Sequence, residues 1–334
     1  MSDPLEFTGE RFVPGIPGEI VYEHWHRYAF ARRFVAGRRV LDVACGEGYG
    51  SALLAASAAQ VCGVDISQNA INHAQNQYAA QKNLSFQQGS ATELPLPDHS
   101  VDVVVSFETI EHLPQAMQQP MIQEFARVLT PDGLLIISSP NRPEYSPPGT
   151  PANPYHVHEL DRDEFQSLLS PYFPVQSWWA QRLYFGSVLW REENTENDGE
   201  MIAEACNMKD EREVVPAHVP PAKYFVVIAG RKALSQTLPQ ISLFSDAKEK
   251  ELHRLYHQAE EVLRLDTLAH KQTDALNQLA TKYQALSKEA QTLRETLNQQ
   301  NVEFDNLQKQ FDFRNSWQGW LRFPLSRLRR RMKK

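Results

Sequence analysis

Two groups of side chains in this sequence are of the types that move protons or hold ligands. The first begins with Glu108-Thr109-Ile110-Glu111-His112. Read on a helix, its two carboxylates and its imidazole fall within about one turn. That arrangement offers either three ligands (Glu108, Glu111, His112) for a hard divalent ion such as Mg²⁺, or a general base, His112, for a hydroxyl. His156 and His158 follow a proline-rich stretch; in an extended chain alternate residues share a side. One of them can then face a reacting group beside Asn141, Arg142 and Tyr155, unless both only cap and pack the next helix. The second group is Asp42-Val43-Ala44-Cys45-Gly46-Glu47-Gly48. Small residues at Ala44, Gly46 and Gly48 let backbone approach a ligand closely, and Asp65, about 20 residues further on, is placed to accept hydrogen bonds from a ribose diol. Two carboxylates and a moderate glycine content suit a ligand carrying positive charge.

These residues require a sheet to bring them together. Val40-Leu41-Asp42-Val43 and Gln60-Val61-Cys62-Gly63-Val64-Asp65 read as buried strands, with a helix from about Ser51 to Ser57 between them. A third strand leads into Gln88-Gly89-Ser90-Ala91, a fourth is Val101 through Phe107 and carries Ser106, and a fifth is Gly133-Leu134-Leu135-Ile136-Ile137-Ser138. Two further candidates lie at 175–183 and 224–230. The alternation of strands and helices predicts an α/β domain over 41–232: a doubly wound, mostly parallel seven-stranded sheet. Residues 1–40 read as a loop followed by a helix through Phe34; such a segment caps the cofactor site in the class I S-adenosylmethionine-dependent methyltransferases, which the motifs above resemble. Arg11, His24, Arg27 and Tyr28 can then reach the ligand, the competing reading being a solvated amphipathic helix. The acidic, polar stretch 192–219 reads as an insertion.

The chain has 334 residues, 42% of them hydrophobic, enough for one sizeable core. Its three cysteines are odd in number and two lie in or beside strands, so no disulfide framework is expected. The first residues are acidic and carry no apolar stretch, which predicts a cytoplasmic protein. The net charge is −7, yet residues 313–334 carry eight Lys or Arg and no acid, so the remainder sums to −15. A body this acidic argues against nucleic-acid binding.

Beyond a linker at 233–245 the composition changes. Over 246–312 apolar residues alternate at spacings of three and four, through Leu276, Leu279, Tyr283, Leu286, Ala290, Leu293 and Leu297, with one break between Val262 and Leu265. This predicts a coiled coil and hence a homo-oligomer, with Gln272 and Gln300 as polar seam positions that fix register. The tail, 313–334, interleaves Trp317, Trp320 and Phe323 with its basic residues, as a segment lying on an anionic membrane surface does.

With these motifs in order, the chain resembles the class I S-adenosylmethionine-dependent methyltransferases, whose first motif usually reads D-x-G-x-G-x-G. Here it is Asp42-x-Ala44-x-Gly46-x-Gly48. The resemblance implies that Asp42 and the turn hold the methionine part, Asp65 and Ile66 the ribose side, and Ser90 and Ala91 the adenine. Ser90 stands where an aspartate is more common. Ser106 and Phe107 then lie beside the site of transfer. Glu108-x-x-Glu111-His112 is similar to the motif of the ubiquinone-pathway O-methyltransferases, whose three residues are metal ligands. Thr8-Gly9-Glu10-Arg11-Phe12-Val13-Pro14-Gly15, Glu23-His24, Arg27-Tyr28 and the two motifs above also look like methyltransferases of bacterial surface-polysaccharide (O-antigen) clusters. That likeness implies a sugar hydroxyl on a glycan or lipid-linked glycan as acceptor. It also implies a rod that oligomerises the enzyme and a tail that docks on the inner face of the cytoplasmic membrane or on a membrane-bound glycan polymerase. A quinone-type small-molecule O-methyltransferase, and a cofactor-binding scaffold without turnover, are the alternatives.

Overall fold

The computed structural model describes residues 18–183, 206–210, 213–216, 221–233, 238–245 and 250–318. The chain forms two compact units, 1–251 and 252–334. In the first, helix α1 (Glu19–Ala31) precedes β1 (Arg39–Val43), α2 (Tyr49–Ala55), β2 (Gln60–Asp65), α3 (Gln68–Gln77), β3 (Leu84–Gln88), β4 (Val101–Ser106), α4 (Gln115–Val128) and β5 (Leu129–Pro140). After these come α5 (Arg142–Tyr145), α6 (Arg162–Leu169), β6 (Val175–Gln181), β7 (Cys206–Asp210), β8 (Glu213–Pro216) and β9 (Tyr224–Gly230).

The inner strands are continuous runs of Val, Leu and Ile because helices cover both faces of the sheet. Met121, Ile122 and Phe125 of α4 pack with Phe165 and Leu169 of α6 on one face; Phe30 of α1, Phe34 and Leu54 of α2 pack on the other. The strand order is β3-β2-β1-β4-β5-β9-β6. The first five are parallel, as expected; β9 runs antiparallel to both β5 and β6, so the sheet is mixed. Strand order reverses between β1 and β4, where such sheets open a crevice at their carboxyl ends. The register pairs Val43 with Val64 and Ser106, bringing the ends of β1, β2 and β4 to one edge.

One expectation needs correcting, and two segments carry more structure than their composition indicates. Glu108–His112 is not an α-helix: Glu108 takes a left-handed backbone (φ 48°) and only Ile110–His112 form a 3₁₀ turn. The short strand β4 ends at Ser106, and the chain must swing at once to begin α4 after Pro114, leaving no room for a full helical turn. The insertion holds an antiparallel hairpin, β7 with β8, its β-branched Val214-Val215 pair hidden in a polar, acidic composition. The linker, where described, is packed rather than free: Trp179 Nε1 donates to the Pro239 carbonyl at 3.3 Å, His26 bonds Ser242 at 2.9 Å, and Phe244 stacks on His26.

In the second unit, α7 (Lys250–Asn315) is one helix of 66 residues, about 100 Å long at 1.5 Å per residue. Leu276, Leu279, Tyr283, Leu286, Leu293 and Leu297 are all exposed along it. Among the described residues no helix is long and apolar enough to cross a membrane. Residues 319–334 of the expected basic tail, and Arg11 of the expected cap, lie outside the described residues.

Candidate active site

The turn after β1 departs from ordinary backbone at three alternate residues: Ala44 (φ 60°), Gly46 (57°) and Gly48 (91°). Glycine meets this without strain; Ala44 does not, and is held there by its surroundings. Asp65 ties the turn to β2, its Oδ2 accepting from Gly46 N at 2.9 Å and its Oδ1 from Ser67 N at 2.8 Å. Next to it Ile66 is an exposed large apolar side chain, 73% accessible, at the carboxyl edge of the sheet. Ser90, beyond β3, shares a hydrogen bond with Thr92 Oγ1 at 2.9 Å and accepts from Thr92 N, while Ala91 packs against the core.

Asp42 is fully buried. Ser51 Oγ donates to its Oδ2 at 2.6 Å and Tyr28 Oη to its Oδ1 at 3.1 Å. Burial nevertheless lifts its carboxyl to about 7, the two hydroxyls opposing the rise and Asp65 adding to it. Tyr28 is wedged between Tyr49 and Phe107, and a Cβ at Gly50 would come within 2.1 Å of its ring, so only glycine fits there. His24 bonds Tyr49 Oη at 2.9 Å; burial, with Arg27 nearby, pushes its imidazole down to about 3. Two of the expected cap residues, Arg27 and Tyr28, therefore belong to the buried face of α1.

Arg27 stands at the centre of a second cluster. Its Nε donates to Gln181 Oε1 at 2.6 Å, its Nη1 lies 3.1 Å from Glu108 Oε1, and its guanidinium sits 4.5 Å over the Tyr224 ring. Ser138 Oγ accepts from Glu108 N and donates to Glu108 Oε1, which fixes the left-handed residue. Burial pushes the Glu23 carboxyl up, against the pull of Arg27 and Lys223. Ser106, at the end of β4, has a fully buried Oγ.

The third cluster corrects the expected metal set. Glu108 faces Arg27; what the fold brings to Glu111 and His112 is His156, the donor atoms of all three lying within 4.8 Å of one another. The amides of Val157 and His158 both donate to the Glu111 carbonyl, at 2.8 and 3.0 Å. Gln118 Nε2 bridges the carbonyls of Ile110 and His158. His158 is spent on Gln118, its Nδ1 3.2 Å from Oε1, and so does not share a side with His156: the stretch is turned, not extended. His156 stacks on Tyr145 and bonds Glu159 Oε1 at 2.6 Å. Arg142 pairs with Asp161 and Glu164, and Asn141 Nδ2 donates to the Ala222 carbonyl. Tyr155 contributes its carbonyl, which accepts from His112 Nδ1 at 3.1 Å. The donor set suits Mg²⁺ poorly, since two of three atoms are imidazole nitrogens rather than oxygens.

Gln118, Ser51 and Glu159 were not singled out in the sequence. Gln118 alone carried a signal, as the single buried polar side chain on the apolar stripe of α4.

A doubly wound sheet with a glycine turn at its switch point and a carboxylate ending the neighbouring strand defines a Rossmann-like cofactor-binding domain. The family described as "Methyltransferase domain" matches residues 41–137. A "Probable S-adenosylmethionine-dependent methyltransferase" of Mycolicibacterium smegmatis is 42% identical over 179 residues, 51% of this chain and 68% of that one. One of the same description from Mycobacterium tuberculosis is 44% identical over 168 residues, 49% of this chain and 60% of its own length. The demethylmenaquinone methyltransferase of Clavibacter sepedonicus is 34% identical over 117 residues, 35% of this chain and 45% of that one. The chain belongs to the S-adenosylmethionine-dependent methyltransferases. It spans about 60% of the length of the Mycobacterium tuberculosis relative.

Proposed function

We propose that this chain transfers a methyl group from S-adenosylmethionine to an oxygen, and that the acceptor is a sugar hydroxyl of a bacterial surface glycan. The cofactor supplies an electrophilic methyl on a sulfonium. The chain's part is to hold it along the edge where β1, β2 and β4 end, and to take a proton from the acceptor. The observation that carries the reading is that edge: Asp42, Asp65 and the turn at 44–48 stand together, and Glu111 and His112, which follow β4 within a few residues, are joined by His156. Asp65, with Ile66 beside it, is positioned for the ribose side of the cofactor, Ser90 and Ala91 for the adenine, and buried Asp42 for the cationic end. His112 or His156 serves as base. The glycan assignment is supported by the motifs at 8–15, 23–28 and 106–112 and by the rod. Incubating the purified chain with trideuteromethyl-labelled cofactor and a lipid-linked glycan extract should leave label on a sugar hydroxyl, read by mass spectrometry; label only on extracted quinones would replace the glycan with the small-molecule reading. The likeness to a demethylmenaquinone methyltransferase, over 35% of this chain, favours a quinone-type acceptor in that second reading. No label on any acceptor, with the cofactor bound, would leave a scaffold without turnover.

Asp42 gives this reading a pH signature. A cation beside it selects the ionised carboxyl, so cofactor affinity should rise about tenfold at most between pH 6 and 8, and Asp42→Asn should bind weakly and flatly. Calorimetry across that range checks it. The effect on stability has the opposite direction. A carboxyl whose folded value is raised from 3.8 to about 7 favours the fold below the lower value, and this contribution is lost as pH climbs through the upper one.

The exposed apolar stripe of α7 is covered, in this reading, by α7 of further copies, and the segment beyond it docks on the inner face of the cytoplasmic membrane or a membrane-bound polymerase. An isolated helix gains little stability from propensity alone, so a stripe of this length calls for a partner. Removing residues 246–334 should turn an oligomer into a monomer by analytical ultracentrifugation while cofactor affinity stays within about twofold.

A further inference from the structure

We propose that Glu111, His112 and His156 form a binding site for a divalent transition metal such as Zn²⁺, Mn²⁺ or Co²⁺. The three donor atoms already lie within 4.8 Å of one another, and they come from segments 44 residues apart that the fold locks together. In a tetrahedral site with bonds of about 2.0–2.2 Å the donors stand roughly 3.3–3.5 Å apart. Small side-chain rotations close that difference.

The surroundings of the two imidazoles are those of metal ligands. His112 directs Nδ1 at the Tyr155 carbonyl, an acceptor only, so Nδ1 carries the proton and Nε2 the lone pair. His156 directs Nδ1 at the Glu159 carboxylate, 2.6 Å away, with the same outcome. A carboxylate or carbonyl behind each histidine sets its tautomer and raises its basicity, as at metal centres. Ser146 Oγ in turn donates to Glu159 Oε1 at 2.9 Å, and the Tyr145 ring stacks on His156, so the outer layer is held as well. The Glu111 backbone is clamped by two amides and Gln118, which prevents the 155–158 segment from drifting away from the 3₁₀ turn.

Three protein ligands leave a fourth position for an outside oxygen. An acceptor hydroxyl bound there would lose its proton more readily, to solvent, because a metal on both Nε2 atoms leaves neither imidazole as the base; the metal, as Lewis acid, then replaces the histidine base of the proposed reaction. This role rests on the O-methyltransferase reading; the binding of the metal does not.

The test uses the full chain, stripped by dialysis against a chelator and reloaded with Zn²⁺, Mn²⁺ or Co²⁺. Elemental analysis should find one equivalent per chain, and the Co²⁺ form should show visible absorption of a low-coordinate nitrogen–oxygen site. His156→Ala and His112→Ala should each lose stoichiometric metal, and Glu108→Gln should keep it. Glu159→Gln retains all three donors and should weaken affinity by about 10- to 100-fold; it carries the test if the histidine variants do not fold, as judged by thermal melts. A folded wild type without stoichiometric metal, a His156→Ala protein with wild-type affinity, or a Glu108→Gln protein that melts as a folded protein yet loses the metal would each overturn the assignment. Cofactor affinity, measured on the same samples, is expected to be unchanged by stripping, which separates failure of the metal site from failure of the methyltransferase reading. Methyl transfer at full rate in the stripped protein would overturn the Lewis-acid role.

Discussion

Arg27→Met should lower the stability of the first unit by about 3–5 kcal/mol, because it strands Glu108 as an unpaired charge in a largely dry setting. Arg27 is among the largest fully buried side chains in the protein, and its Nη1 is 3.1 Å from Glu108 Oε1. The Glu108 side chain is only 16% exposed and cannot turn to solvent, since Ser138 holds both its amide and its carboxylate. The loss also frees Gln181, which otherwise links β6 to α1 by accepting from Arg27 and donating to the Glu23 carbonyl. Urea unfolding is the measurement. Adding Glu108→Gln to Arg27→Met should recover a large part of the loss, since removing both charges also removes their desolvation cost. A single variant within about 1 kcal/mol of wild type would mean that the pair is screened by water.

Asp65→Ala should weaken cofactor binding by about 1.5–3 kcal/mol, on the order of 10- to 100-fold. Two things are lost together. The diol loses a charged acceptor, and Gly46 N, which Asp65 Oδ2 holds at 2.9 Å, is released, so the turn is no longer fixed to β2. Asp65→Asn keeps an oxygen for the amide but not the charge and should fall between the two. Calorimetry with a melting curve to confirm folding decides it. Wild-type affinity in folded Asp65→Ala would place the ribose elsewhere along the edge.

What the sequence disclosed follows from the range of the forces involved. Strands β1, β2, β4, β5 and β9 are written as apolar runs because each is buried on both faces, and the turn after β1 is written as small residues because its backbone is left-handed. Both are local causes with local traces. The partner of Glu111 and His112 is not local: His156 arrives because Val157 and His158 donate to a carbonyl more than 40 residues earlier, and backbone bonds of that kind leave no mark on residue types. Glu108 misled for the same reason. Helical spacing suggested three ligands on one face, but a single left-handed residue turned the first of them toward Arg27. Arg142 and His158 have the chemistry of site residues and are used to hold loops, a distinction that depends on who their neighbours are.

The place of β9 in the sheet bears on how the chain folds. β9 lies between β5 and β6, all seven of its residues are buried, and among the described residues it is the only strand paired with β6. During synthesis β6 therefore emerges ahead of β9, and the β5 edge that β9 covers stays open until residue 230 is available. The β5–β9 pairing joins segments about 90 residues apart in the chain, so closure of this half of the core is a late, slow event set by loop closure rather than by local propensity. Two unpaired strand edges are left waiting in that interval, and this is when the nascent protein is most exposed to aggregation.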